Sequence, residues 1–162
     1  MSAADSASIL SMLDVTKTYP VGGSLLGKPK ERVVALNQLS LDIRSGEIFG
    51  LVGESGSGKT TASRLIVGLE TPDEGRIQFE GRDCTGLRGK DRRAFSKQVQ
   101  VIFQDPYQSL NAHLSIFETV CEPLVIHGIG DRRSRRIQAC EALETAGLSP
   151  PENVFIREPC LL

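Results

Sequence analysis

Gly53-Glu54-Ser55-Gly56-Ser57-Gly58-Lys59-Thr60 decides how the rest of the chain is read. It fits G-x-x-x-x-G-K-[ST] in full. Glycines let the backbone curl so that successive N–H groups point at one anion. A helix opening where the loop ends adds unpaired N–H groups and a favourable dipole. Lys59 brings a mobile positive charge to the β- and γ-phosphates, and the Thr60 hydroxyl can ligate Mg²⁺. The flanks suit this chemistry. Ile48-Phe49-Gly50-Leu51-Val52 is a short apolar run that predicts a strand buried on both faces. Ala62, Leu65, Ile66 and Leu69 recur at i, i+3, i+4 and i+7, which predicts one face of a helix. A glycine-rich turn with an incidental lysine requires neither flank, so the loop implies a nucleoside triphosphate ligand.

Working outward, Ile9 to Val15 predicts a first strand, and Tyr19 to Lys30, with Pro20, Gly22, Gly23, Gly27 and Pro29, predicts a loop. Val33 to Leu36 and Leu39 to Ile43 predict two short strands. Beyond the loop helix, Thr71-Pro72-Asp73-Glu74-Gly75 is a stop signal, Ile77 and Phe79 alternate as in a strand, and Val99 to Phe103 predicts another. Ser115 with Glu118 predicts a capping box, in a helix that Pro123 should end or kink. A last helix is expected from Asp131 to Gly147, with Ile137, Cys140 and Leu143 on one side. The order is strands, then a strand–loop–helix unit, then helices: an α/β layout.

Composition narrows the function classes. A net charge of −1 lacks the basic excess of a nucleic-acid binder. Arg132, Arg133, Arg135 and Arg136 read as a solvated helix face. Met1 to Ser8 has no signal-peptide character, and no stretch approaches the ~20 apolar residues of a membrane helix. A cytosolic chain is expected, able to dock on something in a membrane. Cys84, Cys121, Cys140 and Cys160 are far apart, without metal-ligand spacing, and His113 and His127 do not cluster with them. Reduced packing cysteines are expected.

The loop alone leaves its class open. The Asn-Lys-x-Asp motif of a GTPase does not occur. Val101-Ile102-Phe103-Gln104-Asp105 approaches a Walker B strand but has Gln before the acid, and Ile9 to Asp14 lies before the loop. A small-molecule kinase would need a lid and an acceptor base, and no candidates stand out.

Gly53 to Thr61, followed some forty residues on by Val101-Ile102-Phe103-Gln104-Asp105-Pro106-Tyr107-Gln108-Ser109-Leu110-Asn111, resembles the nucleotide-binding subunit of an ABC transporter. The resemblance runs from about Leu10 to Ser149. Glu122-Pro123-Leu124, and Tyr19-Pro20-Val21 through Gly27 before Val33-Val34-Ala35-Leu36, look like the dipeptide/oligopeptide (or nickel) importer branch. The implied fold is a P-loop NTPase (RecA-like) core with an N-terminal antiparallel β-subdomain and the start of a helical subdomain, the sheet incomplete. Residues 1–8 would be a flexible N-terminus and 9–162 a partial nucleotide-binding domain, helical from about 111.

The resemblance assigns roles. Tyr19, which alone reads as a strand-end tyrosine, matches the aromatic position that stacks on adenine, a contact of about 1–3 kcal/mol by analogy with base stacking. Gln104, which alone reads as a turn residue, matches the Q-loop glutamine that reaches Mg²⁺ and reports nucleotide state. The implied ATP site is Tyr19, Gly53, Glu54, Ser55, Gly56, Ser57, Gly58, Lys59, Thr60, Thr61 and Gln104, with Thr60 and Gln104 on Mg²⁺. Asn111-Ala112-His113 departs from the family's Asn-Pro-Arg.

Implied partners are membrane-spanning permease subunits and a second ATPase subunit, with the assembly on the inner face of the cell membrane. In the family a Leu-Ser-Gly-Gly-Gln signature, a Walker B strand with Asp and catalytic Glu, and a switch histidine follow the helix ending near Gly147. Phe155 to Leu162 contains none of these and does not look like the approach to them. The chain alone is therefore expected to bind ATP but to be inactive in hydrolysis, as a fragment or frameshift product; the alternative is a truncated remnant with weak or no nucleotide binding.

Overall fold

The computed structural model describes residues 8–21, 31–105, 110–111 and 113–148. It divides into two compact units, 1–100 and 101–162.

The first unit is built on an antiparallel sheet of β1 (Ser8–Val21), β2 (Glu31–Arg44), β3 (Glu74–Phe79) and β4 (Arg82–Asp83), in the order β2-β1-β3-β4. β1 pairs with β2 from Ser8↔Arg44 to Val21↔Glu31 and with β3 from Leu10↔Phe79 to Thr16↔Glu74. Alternation at Leu10 and Met12, continued by Val15 after a register shift, sends these side chains to one face. There they pack with Leu36, Ile77 and the inner face of α1 (Lys59–Ile66), Ala62 and Leu65. A second helix, α2 (Gly89–Gln98), buries Phe95, whose ring meets Phe79 edge-on at 5.8 Å between centroids.

The second unit pairs α3 (Ile116–Ile126) with α4 (Arg132–Thr145) around Ile116 and Leu143. Ser115 caps α3 reciprocally: Glu118 N–H donates to Ser115 Oγ at 3.2 Å, and Ser115 N–H donates to Glu118 Oε2 at 2.8 Å. Asp131 caps α4 through the Ser134 N–H at 2.8 Å.

Several expectations are corrected. Residues 48–52 form no strand, and Ile48 and Val52 are 99% and 92% exposed. A parallel core strand draws its hydrogen bonds and cover from neighbours, and among the described residues no strand pairs with this run. Residues 101–103 likewise form no strand, and Val99 instead caps α2. β2 is one strand: the irregularity expected to split it is a bulge within it, where Leu36 to Leu39 faces the shorter stretch Val15 to Lys17 of β1. β1 continues through Tyr19 to Val21 rather than giving way to a loop at Tyr19, and residues 22–30 of that expected loop lie outside the described residues. Pro123 neither ends nor breaks α3, which runs on to Ile126. A proline near a helix end deprives only the carbonyl four residues back. Leu69, expected on the apolar face of α1, lies beyond its end at Ile66, and both it and Ile137 are about half exposed.

Candidate functional site

The glycine loop is seated on β2. Gly58 has φ +88°, and a Cβ there would strike the Ala35 carbonyl and lie 2.7 Å from Leu36 Cδ2. Gly56, at φ +80°, has open space around it and needs glycine for conformation alone. At Gly53 a Cβ would lie 2.7 Å from Ser57 Oγ. The loop closes on itself through Ser57 N–H to Glu54 O at 3.2 Å. Ala62 N–H donates to Gly58 O at 2.9 Å, the first helical bond of α1. The N–H groups of Lys59, Thr60 and Thr61 precede it, as at any helix start.

Lys59 folds back over the loop. Its Nζ donates to Gly53 O at 2.7 Å, Glu54 O at 2.6 Å and Ser57 Oγ at 3.3 Å. One ammonium, three consecutive helix-start N–H groups, an exposed Thr60 and glycines at left-handed φ that curl the loop suit a polyphosphate with a divalent cation.

Tyr19 is half-buried and reaches from β1 to the turn that follows the same helix. Its hydroxyl donates to Glu70 Oε2. Burial, and then the bond to Glu70, push the Tyr19 hydroxyl above its ordinary pKa. The Lys17 ammonium stands over the ring, 5.6 Å from its centroid. The structure thus joins Tyr19 to Glu70. Gln104 lies on the exposed segment 101–105 of the second unit.

The turn after α1 carries residues that sequence reading took only as a helix stop. Lys17 Nζ donates to Thr71 O at 2.8 Å and pairs with Asp73 at 3.6 Å. Thr18 donates to Asp73 Oδ2 from its N–H at 2.7 Å and its hydroxyl at 2.8 Å. Those two bonds hold the Asp73 carboxyl below the usual carboxylate range. Glu70 also accepts from Arg64 at 3.4 Å. One signal was available: acidic residues just past a helix C-terminus oppose the dipole, so Glu70 and Asp73 imply partners elsewhere.

Among the described residues no helix is long and apolar enough to cross a membrane, and no group of His, Cys, Asp and Glu could hold a metal ion. The free cysteines Cys84, Cys121 and Cys140 pack as thiols.

Residues 36–160 match the family model described as ABC transporter, farther than the expected limit at Ser149. The chain is 37% identical over 151 residues to the oligopeptide transport ATP-binding protein AppF of Bacillus subtilis, covering 93% of this chain and 46% of that one. It is 44% identical over 119 residues to a putative peptide import ATP-binding protein of Brucella ovis, covering 74% and 37%. It therefore spans less than half the length of these relatives. The dimeric structure of MJ0796, a bacterial ABC transporter cassette, aligns at a TM-score of 0.75 with 29% identity, covering 94% of this chain and 62% of that one. The same cassette in a post-hydrolysis state, bound to ADP and Pi, aligns at 0.71 with 30% identity over 94% and 62%. Both alignments place the sheet, the loop and α1 in a P-loop ATPase fold, and the chain belongs to the ABC transporter family, whose cassettes bind ATP.

Proposed function

We propose that this chain forms the nucleotide-holding part of the ATPase subunit of an ABC importer for peptides or related solutes. The observation that carries the reading is Lys59, whose ammonium rests on the Gly53 and Glu54 carbonyls at the mouth of the loop. On binding Mg·ATP it exchanges those carbonyls for β- and γ-phosphate oxygens, while helix-start N–H groups receive the phosphate chain. Thr60 and Gln104 are the side chains proposed to hold Mg²⁺, and Tyr19 carries the adenine. Mg²⁺, when bound, offsets phosphate charge. Names of relatives in peptide transport support the solute class. A second ATPase subunit and membrane-spanning permease subunits are the proposed partners. The dimeric form of MJ0796 supports the first. The assembly would sit on the inner face of the cell membrane.

Titration of the full chain and its Lys59→Ala variant with Mg·ATP tests the site. Loss of the charge-assisted contacts should weaken binding by about tenfold or more. Equal affinities would remove the loop from the nucleotide site.

A further inference from the structure

Three consecutive residues of β1 are tied to one turn. Lys17 bonds Thr71 O, Thr18 bonds the Asp73 carboxylate twice, and Tyr19 bonds the Glu70 carboxylate. That turn is rigidly continuous with α1, because Leu69 and Glu70 N–H both donate to Arg64 O, at 2.8 and 3.3 Å. The Glu70 carboxylate is oriented from its other side by Arg64. The far end of α1 is the glycine loop. The position of the Tyr19 ring is therefore measured off the helix that begins at Lys59.

We propose that Glu70 is a positioning residue: through the Tyr19 hydroxyl it holds the aromatic ring at the place and angle where a purine bound at the loop stacks. The inference rests on the proposed adenine role of Tyr19 and adds how that ring is held. A tyrosine at a strand end has free rotation about two side-chain bonds, and stacking on it costs the freezing of both. The Glu70 bond fixes them before nucleotide arrives, so more of the stacking energy appears as affinity. Arg64 aims Glu70 from its other carboxylate oxygen.

The test compares two ligands on the full chain: Mg·ATP, which has a purine, and Mg·tripolyphosphate, which has only the phosphates. Glu70→Ala should weaken Mg·ATP about fivefold, the scale of one stacking contact, and leave Mg·tripolyphosphate unchanged. Glu70→Gln, which keeps an acceptor for the hydroxyl, should restore part of the loss. Tyr19→Phe should reproduce the Ala effect, and the double variant Tyr19→Phe/Glu70→Ala should add nothing further. Equal weakening of both ligands would make Glu70 a structural prop of the loop and overturn the proposal. Full Mg·ATP affinity in Glu70→Ala, with affinity lost in Tyr19→Ala, would overturn it too while leaving Tyr19 on the adenine. If Tyr19→Ala binds Mg·ATP as the parent does, the adenine role itself falls, and this proposal with it.

Discussion

Thr18 closes both its N–H and its hydroxyl on a single carboxylate oxygen, Oδ2 of Asp73, at 2.7 and 2.8 Å. One acidic side chain thus joins β1 to the turn that leads into β3.

This pair sets an acid limit on stability. The Asp73 carboxyl lies below its ordinary value because Thr18 donates to the ionised form. A depressed carboxylate stabilises the fold fully above the ordinary carboxylate range, and the contribution is lost as pH falls through the depressed value. Asp73→Asn should lower stability at neutral pH by about 1 kcal/mol and make the loss on acidification less steep. Urea unfolding followed from neutral to acid pH checks both. Parallel curves for parent and variant would exclude Asp73 as the source.

Gly58→Ala should disturb the loop more than a surface change. The residue sits at φ +88°, and its added methyl would meet the Ala35 carbonyl and Leu36. A left-handed non-glycine residue costs about 1–3 kcal/mol before any clash. Stability should fall by at least that amount, with Mg·ATP affinity lowered in the fraction still folded. Thermal unfolding and nucleotide titration report the two effects separately.

Leu65→Ala probes the seat of α1. Leu65 is 2% exposed and packs with Ala62 against the sheet. A buried leucine truncated to alanine costs about 2–5 kcal/mol. A denaturation midpoint unchanged from the parent would mean that α1 is not held by this core.

Ser115→Ala removes the hydroxyl that accepts from Glu118 N–H. Loss of such a cap costs about 1 kcal/mol. Amide exchange should quicken in the first turn of α3 and stay unchanged in β1. Equal exchange in parent and variant would show the cap to be energetically idle.

Sequence legibility followed the range of the interactions involved. The glycine loop, the Ser115–Glu118 capping box and the Asp131 cap are each written within a few residues, and each stood where expected. Ile48 to Val52 failed because burial of a strand is conferred by other strands, which five residues cannot specify. α2 was missed because Gly89–Gln98 has almost no apolar face. Its register depends on Phe95 meeting Phe79 from another element. The clamp of Lys17, Thr18 and Tyr19 on the 70–73 turn was illegible for the same reason: its partners lie more than fifty residues apart along the chain.

The pairing of Leu10 with Phe79 encloses the glycine loop and α1 within a single closed stretch of chain, since both lie between β2 and β3. The β1–β2 contacts span a shorter stretch and should form earlier during folding. The β1–β3 seam then closes last, and with it the turn that carries Glu70 and Asp73. The proposed nucleotide site is then expected to be the last part of this unit to form. A ligand that holds the loop should be felt chiefly as slower parting of that one seam.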